Sequence, residues 1–320
     1  MRRLWRDRRF WFVAIQSVAV ILIVILGLTL WQNLQRNLQQ QGMTLGFDFL
    51  DSQAAFDIGE TLIPYDRSST YARALLVGLL NSLRVMAVGI ILATVVGITV
   101  GVGRLWDNWL LRKLSLLYVE IIRNTPLLLQ LFFWYSAVFL SLPGLQDVIE
   151  LPGRIYLSQQ VVAFPLPWTI PEVLESGQIV GGLQLSPELS ALVLGLSLYT
   201  AAFIAEIVRA GIQSVPKGQW EAARSLGLNP SLMLRLVIFP QALRTMIPSL
   251  TSQYLNLAKN TSLAIAIGYP DIYFVASTTF NQTGRAVEVM ILLMATYLTI
   301  SLLISLFLNF YNKKVQLKER

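Results

Sequence analysis

The chain of 320 residues contains no cysteine and no histidine. The first absence excludes disulfides and thiolate metal sites, and the second removes the commonest metal ligand and the commonest proton shuttle. Charge is scarce as well, at 13% of residues. No G-x-x-x-x-G-K-[S/T] sequence occurs, so the chain brings no phosphate loop of its own. Apolar side chains fill the space left by these absences, making up 55% of the residues. A soluble chain of this length would suggest about two domains, but this balance points to the bilayer.

A helix crossing the hydrocarbon needs about twenty mostly apolar residues, and six such stretches are predicted: 10–31, 74–102, 114–142, 188–210, 247–268 and 287–310. The first follows a basic N-terminus, as a signal peptide would. Its apolar run is longer than a secretory core and no small-x-small cleavage site follows, so an uncleaved helix is expected. The reading is an all-α integral membrane protein. It divides into an N-terminal helix with an extracytoplasmic segment, 1–73, and a membrane domain, 74–320. That domain carries an extracytoplasmic insertion at 143–187 and a cytoplasmic loop at 211–242.

Lys and Arg accumulate on the cytoplasmic side of membranes. Arg2, Arg3, Arg6, Arg8 and Arg9 at the N-terminus, Arg104, Arg112 and Lys113 in the second connection, and Arg209, Lys217, Arg224, Arg235 and Arg244 around the fourth group with Lys313, Lys314, Lys318 and Arg320 in the tail. The opposite side holds Arg36, Arg67, Arg154 and Arg285 among many carboxylates. Both termini are therefore expected in the cytoplasm. Topology accounts for the net charge of +7, and no nucleic-acid partner is needed to explain it.

The stretch from Pro216 to Pro240, PKGQWEAARSLGLNPSLMLRLVIFP, is a polar loop between two spans. Pro216 suits the first turn of a helix, where its missing N–H costs nothing, and Gly227 suits the left-handed residue that ends one. A helix of about two to three turns is predicted from Lys217 to Leu226. Ala222 and Ala223 are expected on its surface, where small side chains admit a close neighbour, with Glu221 as a charge and hydrogen-bond contact to a partner. Without a partner the segment is a solvated surface helix.

Charges in hydrocarbon cost about 2.5–3.5 kcal/mol on insertion scales, so each implies a partner or a wet cavity. Glu120 and Arg123, three residues apart, are expected to neutralise each other. Arg84 and Lys259 have no local carboxylate: they either pair across helices or line a water-filled path where a carboxylate-bearing substrate could meet them. Asn260, Thr261 and Ser262 serve either helix packing or that path. Pro126, in RNTP, interrupts the third apolar stretch and either turns a corner or lines the path. Two long extracytoplasmic stretches, 32–70 and 143–187, read as surface decoration or as a landing face for a partner, and 154–164 is predicted to form a short strand or hairpin.

Several of these segments, in order, resemble the polar amino-acid permease family of ABC importers, the histidine and glutamine permease-like proteins. They are NSLRV at 81–85, RNTPLLLQLFF at 123–133, YTAAFIAEIVRAGIQSVPKGQWEAARSLG at 199–227 and FPQALRTMIPSLTSQYLNLAKNTSLA at 239–264. The E-A-A at 221–223 with Gly227 and V-x-F-P ending at Pro240 is similar to that family's coupling motif, with Val237 and Phe239 where Ile and Leu are commoner. The additional N-terminal helix, FDIGETLIPY at 56–65 and the long insertion look like the general L-amino-acid subgroup. The resemblance implies a type I importer fold, with a five-helix core preceded by one more helix. It implies ATPase subunits, which bind the ATP and Mg and grip the helix through Glu221, Ala222, Ala223 and Gly227, a second and different permease subunit, and an extracytoplasmic amino-acid-binding protein. Alternating access would carry L-amino acids inward, with no cofactor and no covalent chemistry on this chain, and Arg84, Lys259 and Asn260 are the candidates for substrate contact. A secondary transporter or channel would account for the spans and the charges but not for the E-A-A loop.

Overall fold

The structure is a computed structural model that describes residues 8–40, 42, 45–174 and 177–315. Two compact units divide at Phe49 and Leu50. The first holds helix α1 (Arg8–Gln40). Its apolar side chains face outward all round, Phe12 at 66% and Ile23 at 68% exposure, the pattern of a helix whose solvent is lipid. It runs beyond the span predicted to end at residue 31, because QNLQRNLQQ is made of good helix formers. At 33 residues its length is about 50 Å.

The second unit begins with residues 50–70, which double back so that Ala54 N–H donates to Ser69 O at 2.8 Å, and lead into α2 (Tyr71–Gly103), capped by Thr70. Helix α3 (Trp109–Asn124) starts at the Asn108 cap. It meets α4 (Leu127–Phe132), which continues as a π-helical turn over Phe133–Phe139, at an angle of 108°. The predicted third span is thus a bent pair. The extended Thr125 and Pro126 break the helix, as expected of the residue preceding a proline and the proline itself.

The insertion carries strands β1 (Ile149–Leu151), β2 (Ile155–Leu157), β3 (Val162–Phe164), β4 (Glu172–Val173), β5 (Ile179–Val180) and β6 (Leu183–Leu185). Strands β1, β2, β3 and β6 form an antiparallel sheet in that order, and β4 pairs with β5. The expected hairpin at 154–164 is the β2–β3 pair, Tyr156 opposite Ala163. The all-α description is corrected to mostly helical, since this stretch satisfies its backbone in a sheet.

Helix α5 (Pro187–Gln213) opens with Ser186 as cap, Pro187 and Glu188 in its first turn. Short helices α6 (Lys217–Ser225) and α7 (Pro230–Met233) lead through a π-helical turn, Leu234–Ile238, into α8 (Phe239–Asn260). A 3-10 run over Thr261–Ile267 ends at Gly268, whose φ is +77°. Asp271 then caps α9 (Ile272–Thr283), a helix absent from the sequence reading, and α10 (Ala286–Val315) closes the chain. Twelve residues of α9 are too few to span a membrane alone. Among the described residues four helices are long and apolar enough to cross a membrane, or up to six if each bent pair is one span.

Helices α2 and α5 form the most extensive contact of the unit. Glycines make it close: a Cβ on Gly97 would lie 2.6 Å from Ile204 Cβ, and one on Gly101 would lie 2.7 Å from Ala205 O. Two small residues four apart let membrane helices pack backbone to backbone.

Candidate functional site

The loop helix α6 forms where the sequence places it. Its end is a Schellman motif: Gly227, at φ +71°, donates N–H to Arg224 O at 2.9 Å, and Leu228 N–H reaches Ala223 O at 3.2 Å. Trp220 and Ala223 sit on one face, against the core that includes Val215, Met233 and Ile238. Ala223 is 2% exposed, so its expected surface position is corrected: it is the residue that seats the helix. Glu221, Ala222 and Gly227 face out, with Leu226 beside them at 79% exposure. Gln241 Nε2 donates to Gln219 Oε1 at 3.1 Å, tying α6 to α8. On the other side a cleft of about 1000 Å³ separates α6 from the α2–α3 turn, lined by Trp106, Asp107, Trp220 and Arg224 among others.

Arg84 is paired. Its Nη1 donates to Glu60 Oε1 at 2.5 Å, and the other carboxylate oxygen accepts Ser186 Oγ–H at 2.7 Å. Asn81 Nδ2 donates to the Glu60 carbonyl and to Pro270 O, at 2.8 and 2.9 Å. Glu60, not singled out in the sequence reading, thus joins α2, the start of α5 and the turn before α9. Nearby in the same segment, the hydrogen bond from Arg67 holds the Asp57 carboxyl below the usual carboxylate range. Lys259 lies in the last turn of α8 with its side chain exposed, and no carboxylate among the described residues pairs with it. Asn260 is half-buried at the junction with the 3-10 run. The neighbouring hydroxyls serve their own helix, Thr261 Oγ1 to Ala258 O and Ser262 Oγ to Lys259 O.

Glu120 and Arg123 do not pair with each other. Asn124 Nδ2 donates to the Glu120 carbonyl and carboxylate, while Arg123 stacks 5.1 Å from the Phe203 ring centre and lies 4.0 Å from Glu206. Glu206 also binds Arg104 and, at 2.5 Å, Arg209. One carboxylate therefore serves arginines from the end of α2, from α3 and from α5. The sequence signal for it was its own position, a carboxylate inside the span predicted at 188–210 with Arg209 three residues on. At the RNTP corner the freed carbonyls are covered, Ile122 and Thr125 by Gln130 Nε2 at 2.9 and 3.0 Å, which favours the structural reading of Pro126. Among the described residues no group of acidic side chains is arranged to hold a metal.

Among the described residues the chain thus combines four to six candidate spans, two of them bent pairs, with buried polar junctions and an exposed loop helix. Residues 89–317 match the family described as the binding-protein-dependent transport system inner membrane component. The chain belongs to that family. This permease is 44% identical to the putative amino-acid ABC transporter permease protein YhdX of Escherichia coli (strain K12), over 95% of this chain and 94% of that one. It is 41% identical to the general L-amino acid transport system permease protein AapQ of Rhizobium johnstonii, over 93% and 91%. Among solved structures, the crystal structure of an amino acid ABC transporter with histidines superposes with a TM-score of 0.57 at 25% identity, covering 76% of this permease and 95% of that chain. The fold is that of an ABC importer permease, and membership in the family places the chain in the inner membrane with a binding protein as partner. The family match starts after Glu60, Asn81 and Arg84 and takes in their partners Ser186 and Pro270.

Proposed function

We propose that this permease is one subunit of an ATP-driven uptake system that moves a broad range of L-amino acids, acidic and neutral, inward by alternating access. The observation that carries the reading is α6. It is a short helix seated by Trp220 and Ala223 and presenting Glu221, Ala222 and Gly227 outward, in a chain 41% identical to a general L-amino acid permease. Separate ATPase subunits, holding ATP and Mg, dock on that face, and their closure on ATP shifts the helices about a central path. A second, unlike permease subunit completes the path, a soluble protein delivers the amino acid from outside, and both termini lie in the cytoplasm. Helix α1 precedes the five-helix core in the chain.

Along the path Lys259 and Asn260 are the stronger contacts for the substrate carboxylate. Lys259 is exposed and has no carboxylate partner among the described residues, whereas Arg84 is matched by Glu60. An intramembrane cation of this kind faces a cavity or a partner rather than lipid. Uptake of a labelled amino-acid panel into proteoliposomes holding the full complex, with binding protein outside and ATP inside, tests the reading. Uptake that needs both is expected; uptake driven by an ion gradient without ATP would overturn it in favour of a secondary transporter.

A further inference from the structure

The Glu60 junction is built like a seat for a carboxylate. Its fixed parts are the Arg84 guanidinium, the Ser186 hydroxyl and the N-terminal end of the 27-residue helix α5, which Ser186 caps by accepting Leu189 N–H at 3.1 Å. The positive end of a helix dipole and a guanidinium both favour an anion. What fills the seat is a side chain from a loop, on the segment that crosses from residue 50 to α2.

The surroundings hold more polar capacity than Glu60 uses. Asn81 Oδ1, Tyr269 Oη and Ser190 Oγ are buried and have no hydrogen-bond partner among the described residues. Asn81 and Tyr269 are fully inaccessible, and Ser190 is 8% exposed. Asn81 binds the Glu60 carbonyl through its other atom, Tyr269 lies within electrostatic reach of both Glu60 and Arg84, and Ser190 is one turn into α5 from Ser186. A buried oxygen left unpaired is destabilising, and acceptors beside a carboxylate seat suit the ammonium that every amino acid carries next to its carboxylate. Glu60 supplies the carboxylate but no ammonium.

Resting on the reading of this chain as an amino-acid permease, we propose that Arg84, Ser186 and Asn81 form an outer subsite for the α-carboxylate and α-ammonium of the substrate, and that Glu60 is a built-in competitor which occupies this subsite until an amino acid displaces it. The loop around Glu60 is therefore a plug that must leave its seat in each cycle. Transport then depends on the fraction of molecules in which the seat is open.

The absence of native cysteine makes a disulfide lock a clean test. Glu60→Cys and Ser186→Cys are introduced together in the full complex, and ATP-dependent uptake is measured reduced, oxidised and reduced again, with cross-link formation scored by thiol titration. A displaced plug predicts that the cross-linked fraction loses uptake by about tenfold or more and recovers on reduction, since locking lowers the competent fraction. A static brace predicts the reverse, because a covalent tie preserves a brace; cross-linked complex that transports like the reduced form overturns the proposal. Glu60→Gln is the second variant. It unseats the competitor's charge and is expected to transport at or above the wild-type rate with a lower half-saturating concentration of binding-protein-delivered substrate. Loss of both uptake and thermal stability in Glu60→Gln would instead make Glu60 a structural tie. ATP-dependent uptake by the wild-type complex upholds the importer reading whichever way the lock behaves, and a wild-type complex that takes up the panel without ATP refutes that reading itself.

Discussion

Replacing Gly97 by alanine adds a single methyl group at the tightest point of the α2–α5 contact. That methyl would lie 2.6 Å from both Cβ and Cγ2 of Ile204 and 3.0 Å from Ala201 O. Non-bonded carbons rest about 3.5–4.0 Å apart, so the two helices must part by roughly 1 Å. A gap of that width forfeits about a quarter to a half of each dispersion contact along the seam, and forced overpacking of this kind costs about 1–3 kcal/mol. Ile204 is fully buried, so it has no exposed side into which to swing. Ile204→Ala alone should cost about 2–5 kcal/mol through its cavity. In the double variant the new methyl enters the space that isoleucine vacates, and the two losses should fall short of additivity by about 1–2 kcal/mol. Denaturant midpoints of the purified protein in mild detergent give the three stabilities, and ATP-dependent uptake follows them. The reasoning is refuted if Gly97→Ala stays within about 0.5 kcal/mol of the parent, or if the double variant is simply additive.

Gly227→Pro removes the N–H that closes on Arg224 O and demands φ near −65° where the chain has +71°; ATP-driven uptake should be lost with membrane insertion intact, and Glu221→Lys, reversing an exposed charge, should give the same uncoupling. Normal uptake in both would remove α6 from the coupling role. Lys259→Gln deletes an ammonium that no carboxylate among the described residues pairs with, and should depress glutamate and glutamine uptake alike, by about tenfold for a lost charge-assisted contact to the α-carboxylate they share; unchanged uptake of both would place Lys259 away from the substrate. Glu206→Gln leaves Arg104, whose side chain is 12% exposed, without its carboxylate, and the partial exposure of the cluster brings the expected destabilisation to about 1–3 kcal/mol. A thermal midpoint unchanged from the parent would argue that solvent already screens those arginines.

The loop helix was legible because its signals are local: Pro216 at the start, Gly227 at the end and nine helical residues between. Which of its alanines faces inward was not, because that depends on Trp220 and on the distant Met233 and Ile238 against which Ala223 packs. The spans followed from composition, and the break in the third from Pro126. The 108° angle at the first break did not, since a proline marks a corner without setting its angle. Charge pairing was the least legible. Arg123 prefers Glu206 on another helix over Glu120 on its own, and Arg84 finds Glu60 across 24 residues of chain. Sequence spacing favours neighbours, and in a membrane the strong partner is the one that shares the dry interior. Helix α9 and the strands outside the expected β2–β3 hairpin escaped for a related reason: each is too short for its apolar period to declare itself.

Helix α5 touches both ends of this machinery. Its first residue follows Ser186, which holds Glu60, and its last turns hold Glu206 and Arg209 before the chain enters α6 within three residues of its end. Twenty-seven residues make a stiff rod about 40 Å long. Tilting such a rod by about 5° around its C-terminal end sweeps the N-terminal end through about 3.5 Å, more than the 2.7 Å that separates Ser186 from Glu60. α5 is in that sense a crank: a small rotation imposed at the α6 loop is long enough, by lever arm alone, to pull the hydroxyl off the carboxylate at the opposite end of the helix.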